Sequence, residues 1–230
     1  MSVPALNLIS SMATRKLLDE LAADYAAQSG QRVACTAAGG VDVARRVRAG
    51  EPTDVVVLAD TVIDKLIAEG HLLPGSRVDV VRSGVAVAVP ARTPVPSLAN
   101  ESAVRAAVLA APTLSYSTGP SGVYLEQLFT RWGIFETVKP RIVVPPPGVP
   151  VGSLVAEGRV ALGFQQLSEL LGIEGLVVVG PLPPDIQTVT VFAGGVSALS
   201  AAPAAAAALL AYLGSAQTAS AKQRHGMDGA

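Results

Sequence analysis

Ser115-Tyr116-Ser117-Thr118-Gly119-Pro120-Ser121-Gly122-Val123-Tyr124 follows a short apolar strand candidate at residues 111–114 and opens an amphipathic helix candidate at 123–132. Hydroxyls, glycines and a proline at a strand-to-helix junction leave backbone N–H groups facing outward. Those groups have no partner inside the helix, and the helix dipole places partial positive charge behind them. The junction therefore holds a small anion without needing a cationic side chain.

Working outward, the same strand-then-helix rhythm extends to both ends of the chain. Residues 5–9 read as an apolar strand, and 12–28 as a helix through Leu17, Leu18, Leu21, Ala22 and Tyr25, closed by Gly30. Strand candidates at 32–36 and 54–58 alternate with helix candidates at 41–49 and 61–69, the last ended by Gly70. The uninterrupted apolar run at 54–58 is typical of a parallel strand buried on both faces. A long strand candidate at 80–89 contains Ser83 and Gly84 and leads into a loop with Pro90, Pro94 and Pro96.

A second series follows: helices at 103–110, 123–132, 151–157 and 166–171, with strands at 113–115, 141–144, 160–163 and 176–179. Residues 187–193 alternate like a strand, and helices at 202–213 and 216–224 close the chain. The order predicts an α/β protein of two Rossmann-like α/β lobes, with a ligand cleft between them. The expected division is residues 1–84 plus 192–230 for lobe I and 85–191 for lobe II.

Composition excludes several classes. Half of the 230 residues are hydrophobic and 15% are charged, so the chain folds into a packed core. A net charge of −1 gives no electrostatic attraction to nucleic acid or an acidic membrane. No metal-like histidine spacing, Walker loop or dinucleotide glycine motif is present, so neither metal nor cofactor is expected. The single Cys35 reads as an inert thiol on a buried strand. The longest apolar tract, 201–213, contains Pro203 and is too short to span a bilayer. Residues 1–11 lack a signal-peptide pattern, so the sequence as written reads as cytoplasmic, and as periplasmic if a leader has been removed.

Five junctions supply candidate ligand contacts. Ser10 and Ser11 end the first strand, where a hydroxyl caps the next helix or donates to an oxyanion. Gly39 and Gly40 follow the second strand and permit close backbone approach. Ala59 ends the third, with Asp60 reading as the helix N-cap. Ser117, Ser121, Gly122 and Tyr124 come from the opening stretch. Gln165 and Gln166 bring amides that donate and accept. Arg82 and Ser83, on the long strand, offer a guanidinium for a carboxylate. Val149 precedes the helix at 151–157 and completes the set.

These residues also carry a family pattern. Leu8-Ile9-Ser10-Ser11-Met12 resembles the first-strand motif of molybdate-type periplasmic substrate-binding proteins. Gly50-Glu51-Pro52-Thr53-Asp54-Val55 with Leu58-Ala59-Asp60, Ser121-Gly122-Val123-Tyr124 and residues 156–163 are similar to that family's later motifs, in order. The resemblance implies the type II periplasmic-binding-protein fold, two lobes closing on an oxyanion, and an ABC permease as partner if the chain is exported.

The chain departs from that pattern where Gly39 or Gly40 stands in place of the family's second cleft serine, and where the family's cleft tyrosine falls at about Gln165 or Gln166. A lost donor to a buried oxyanion costs about 1.5–3 kcal/mol. The expected ligand is therefore a small anion of the organic (poly)carboxylate kind rather than molybdate. The alternative is an enzyme on the same fold, resembling an aconitate isomerase, with Tyr124, Ser10, Ser11 or Asp60 moving a proton.

Overall fold

The computed structural model describes residues 4–146 and 148–230. In chain order the elements are β1 (Leu6–Ser11), α1 (Arg15–Ser29), β2 (Val33–Ala38), α2 (Gly40–Arg48), β3 (Val55–Ala59), α3 (Asp60–Ala68) and β4 (Val78–Pro90). Then come α4 (Glu101–Ala110), β5 (Leu114–Tyr116), α5 (Pro120–Arg131), α6 (Phe135–Val138), α7 (Val151–Ala156), β6 (Leu162–Gln166), α8 (Leu167–Leu170) and β7 (Leu176–Pro181). The chain ends with β8 (Val189–Val196), α9 (Pro203–Gly214), α10 (Ala219–Arg224) and β9 (Asp228–Gly229). It divides into two compact units, Met1–Ser83 with Thr190–Ala230, and Gly84–Val189. The backbone passes from one to the other within β4 and returns within β8.

In the first unit β1 runs parallel to β2, from Leu6 beside Val33 to Ser11 beside Ala38. It also runs parallel to β3, with Ser10 beside Val57. The carboxyl ends of β1, β2 and β3 therefore share one edge. β8 lies antiparallel on β3, with Ala59 beside Phe192. Successive strand residues point to opposite faces, and the core follows that period of two. Leu6, Leu8, Val55 and Val57 pack with Leu17, Leu18 and Leu21 of α1 and Leu209, Leu210 and Leu213 of α9. Ile9, Val56 and Leu58 pack on the other side with Val43 and Val47 of α2 and Ile63 and Leu66 of α3. Each fully buried Leu, Ile or Val contributes roughly 1.5–3 kcal/mol over exposure, which makes the strand register hard to slip.

Asp54 pins the start of β3. Its Oδ2 accepts the Asn7 N–H at 2.8 Å and its Oδ1 accepts the Ser200 hydroxyl at 2.6 Å. The Asp of the Gly-x-Pro-x-Asp stretch thus ties β1, β3 and the approach to α9 together.

The second unit repeats the plan on a smaller scale. β5 and β6 are parallel, with Ser115 beside Gly163. β4 lies antiparallel to β6 and β7. Val85, Val87 and Val89 face Leu114, Phe129 and Phe164, while Ala86 and Ala88 face Val151, Leu154 and Val155.

Several local expectations differ from the structure. The strand expected at 141–144 is not formed. Instead a 3-10 turn covers Lys139–Arg141, and Ile142 makes a single bridge to Leu114. Pro140 and Pro145 limit pairing there, and the Arg141 guanidinium donates to the carbonyls of Leu109 and Ala111 at 3.0 and 2.6 Å. The first helix begins as a 3-10 turn, Met12–Thr14, before α1. Asp60 is the first helical residue and Ala59 the N-cap, because the Asp60 carboxylate turns to the Thr61 N–H at 2.6 Å. Gln165 and Gln166 lie inside β6 rather than beyond its end. Cys35 is half-buried, on a strand with one covered face. No helix among the described residues is long and apolar enough to cross a membrane.

Candidate functional site

The shared carboxyl edge of β1, β2 and β3 brings Ser10, Ser11, Gly39, Gly40 and Ala59 to one side of the first unit. The parallel register dictates this, because each strand is followed at once by a helical turn. Gly39 is the N-cap of α2 and Ala59 of α3, and neither has a side chain able to cap. In α2 the first return bond runs from Val43 N–H to the Gly39 carbonyl, at 2.9 Å, so the N–H groups ahead of it have no helical partner.

Ser10 and Ser11 are 1% and 8% exposed, yet their hydroxyls are loosely held. Ser10 Oγ donates to the Ser11 carbonyl at 3.2 Å, and Ser11 Oγ shares a hydrogen with Thr14 Oγ1 at 3.4 Å. Both are longer than the usual hydroxyl bond of about 2.5–3.0 Å. A Cβ built on Gly39 meets nothing within 4 Å, and one on Gly40 meets only a Leu58 methyl at 3.8 Å. The edge therefore combines weakly engaged hydroxyls, an α2 start without a side-chain cap, and open space.

Its electrostatics come from dipoles. Arg45 pairs with Asp42 at 2.5 Å, and Arg46 with Glu51 through bonds of 2.6 and 2.5 Å. Asp60 is the carboxylate nearest the strand ends in sequence, and it has no ion pair among the described residues.

The second unit places Ser117, Ser121 and Gly122 together at the start of α5. Ser117 Oγ and Ser121 Oγ share a hydrogen at 2.9 Å. Gly119 is the N-cap, Pro120 occupies the first turn, and no side chain caps the helix. The Gly122 and Val123 N–H groups already bond the Gly119 carbonyl at 3.0 and 3.2 Å. The hydroxyl pair is thus the more available donor at this junction. Gly122 is required sterically, since a Cβ there would lie 1.7 Å from the Ser117 carbonyl oxygen.

The remaining candidates are engaged inside the fold. Tyr124 donates its hydroxyl to the Ile186 carbonyl at 2.9 Å. Gln165 accepts the Gly152 N–H at 2.9 Å and donates to Glu169 at 2.8 Å, which fixes the start of α7. Gln166 is buried beside Val85 of β4. Val149 is half-buried, its N–H on the Pro146 carbonyl at 3.0 Å. Ser83 is buried, while Arg82 is exposed and its Nε donates to the Gly229 carbonyl at 3.1 Å.

Gln187 escaped the sequence reading. Its amide accepts from the Val85 N–H at 2.9 Å and donates to the Val85 carbonyl at 3.0 Å, the pair of bonds a neighbouring strand would make. Its partner lies 102 positions away, so no local signal marks it.

Two α/β units, with the chain crossing twice between them, define the type II periplasmic-binding-protein fold. Residues 6–228 match the bacterial extracellular solute-binding protein family, and the chain belongs to it. It is 35% identical over 233 residues to an aconitate isomerase from Pseudomonas sp, covering 98% of this chain and 88% of the relative. Among solved structures it resembles the periplasmic molybdate-binding protein of Azotobacter vinelandii, with TM-score 0.79, 23% identity and coverage of 96% and 98%. The sulfate-binding protein of Mycobacterium tuberculosis H37Rv matches with TM-score 0.78, 16% identity and coverage of 98% and 86%. The molybdate-type resemblance and the fold expected from the sequence both agree with these matches.

Proposed function

We propose that this chain binds a small organic anion with more than one carboxylate, in preference to molybdate or sulfate. The observation that carries the proposal is the first unit's strand edge. Two buried, loosely bonded serines stand beside a helix start whose Gly39 has open space where a further donor would sit. A compact tetrahedral oxyanion needs donors converging on every oxygen, whereas a larger acid fills the space and presents carboxylates separately. Ser10, Ser11 and the start of α2 gather several donors along this one edge, which suits an acid with several carboxylates. The 35% identical relative is named for aconitate, a tricarboxylate, and this supports the same ligand class.

A second reading is favoured by that relative alone: the same residues catalyse an allylic proton shift. A base takes a proton from the methylene carbon, the electron pair moves through the adjacent double bond, and a proton returns to the far carbon. Nothing is added or lost. Asp60, Ser10 and Ser11 are the groups proposed to serve, with serine hydroxyls stabilising charge on the carboxylate. If the chain is exported, an ABC permease is the proposed partner of the binding form.

Thermal-shift titration with cis- and trans-aconitate, tricarballylate, sulfate and molybdate tests the ligand class. The largest stabilisation is expected from a polycarboxylate, and a larger one from molybdate refutes the proposal. Incubation with each aconitate isomer in D2O, followed by NMR, tests catalysis. Absence of both isomer conversion and deuterium uptake removes the isomerase reading.

A further inference from the structure

We propose that two copies of this chain pair through the outer edge of β2, extending the first unit's sheet across a two-fold axis. Among the described residues β2 pairs with β1 alone, so its other edge is open. The Arg32 carbonyl accepts the Leu6 N–H at 2.9 Å, and backbone groups alternate sides along a strand. The N–H and C=O groups of Val33, Cys35 and Ala37 therefore point outward. Open edges are normally blunted by charge, proline or a bulge. Val33-Ala34-Cys35-Thr36-Ala37-Ala38 has neither charge nor proline, and its register with β1 is unbroken. β5 in the second unit shows the contrast, since Ile142 bridges Leu114 and the Val143 N–H bonds the Leu114 carbonyl at 2.7 Å.

Beside the open edge lies a groove of about 300 Å³ between α1 and β2, lined by Asp19, Ala22, Ala23, Ala26, Arg32 and Cys35 among others. The alanines of α1 leave room for the side chains of an added strand. Asp19 and Arg32 are the charged residues of the lining, and neither makes an ion pair among the described residues. They stand at opposite ends. Cys35 Sγ donates to the Leu18 carbonyl at 3.8 Å, which sets Asp19 near Cys35, whereas Arg32 lies just before the strand begins.

A two-fold axis at Ala34 runs the second copy's β2 antiparallel to the first. Val33 then faces Cys35 of the second copy, and such a pair of outward-facing residues exchanges both backbone bonds. The same operation brings the Asp19 end of each groove to the Arg32 end of the other, giving two reciprocal ion pairs. An isologous contact requires this kind of self-complementary patch, and the charge pattern therefore commits the groove to a second copy of this chain. The inference uses no part of the ligand reading and goes beyond it.

Sedimentation velocity of the full chain between about 1 and about 200 μM tests this, and a shift from monomer to dimer is expected as concentration rises. Asp19→Arg and Arg32→Asp each set like charges against one another in both halves of the contact. Each should weaken the dimer roughly tenfold or more, and an equimolar mixture of the two variants should associate again as a heterodimer. Thermal melts verify that both variants are folded. A register probe is Ala34→Cys in a Cys35→Ser background. Residues facing each other on the axis have Cα atoms about 4.5 Å apart, within disulfide reach, so diamide should link this variant into a covalent dimer. Ala91→Cys in the same background, on an exposed loop of the second unit, should stay monomeric. A parent that is monomeric over the whole range overturns the inference, whatever else the groove accepts. A dimer indifferent to both charge reversals overturns it too, as does an Ala34→Cys protein that links no faster than Ala91→Cys.

Discussion

Replacing Gly122 with alanine places a methyl carbon 1.7 Å from the Ser117 carbonyl oxygen, 2.9 Å from its carbonyl carbon and 3.2 Å from Tyr116 Cδ2. The first two are backbone atoms and cannot swing aside. The start of α5 and the Ser117 peptide must therefore separate by roughly 1.5 Å to reach ordinary contact. Overpacking of this kind costs about 1–3 kcal/mol or more, and the better helix propensity of alanine returns at most about 1 kcal/mol. A net loss of about 2 kcal/mol corresponds to a fall of roughly 4–8 °C in Tm for a chain of this size. The same shift disturbs the Ser117–Ser121 hydroxyl pair. Gly39→Ser is the matched comparison. Its φ of −58° suits any residue and its Cβ enters open space, so it gains a hydroxyl cap worth a few tenths of a kcal/mol together with reduced freedom in the unfolded chain. Thermal and urea melts of both variants decide the matter. A Gly122→Ala protein as stable as the parent, or a Gly39→Ser protein less stable than Gly122→Ala, refutes the packing argument.

Further outcomes follow from single side chains. Burial, with Asp19 as a lesser cause, pushes the Cys35 thiol up to about 11, so at pH 8 its alkylation by iodoacetamide should run roughly a hundredfold slower than that of an ordinary thiol. A free-thiol rate in the native protein contradicts this. Lys222 is 1% exposed with no ion pair among the described residues, and burial lowers its ammonium pKa. The charged form is thus favoured in the unfolded chain, and stability should rise as pH climbs through the folded pKa toward the unfolded one. Lys222→Met should raise the neutral-pH melting temperature, by about 1 kcal/mol or more in stability, and flatten that alkaline rise; a lower melting temperature counts against it. Hydrogen bonds from Arg224 first and His225 second hold the Glu20 carboxyl below its ordinary range. The stability this supplies is present above the unfolded pKa and is lost as pH falls through the folded one. Glu20→Gln should therefore melt below the parent at pH 7 and converge with it in acid, and a constant difference across that range argues for a purely steric role.

The architecture was largely legible because its signals are local. The apolar run at Val55–Ala59, the helix-ending Gly30 with φ of 74° and Gly70 with φ of 81°, and the hydroxyl-rich starts of helical segments each report on their own neighbourhood. Ser10, Ser11 and Gly39 could be grouped in advance because parallel strands place their carboxyl ends on one edge. What was hidden depends on distant partners. The strand expected around Ile142 failed because Arg141 reaches back to α4 and prolines flank it, while Gln165 looked like a free amide until its bonds to Gly152 and Glu169 were visible. Gln187 has the composition of any loop glutamine, and its role as a substitute strand partner exists only once Val85 is beside it.

The way β9 and β8 complete the first unit also sets an order of events during synthesis. β9 pairs with Val81 and Arg82, and β8 with β3, yet both strands follow the whole second unit in the sequence. The first unit therefore cannot close its sheet while Thr190–Ala230 is still being made, although residues 6–83 emerged long before. The second unit is one continuous segment, Gly84–Val189, and is complete sooner. At ordinary translation speeds, about 5–20 residues per second, the closing segment takes roughly 2–8 s to arrive. During that interval the apolar edge of β3 is open to chaperones and to neighbouring nascent chains. A chain truncated near residue 190 should keep the second unit folded and leave the first dependent on holdase protection.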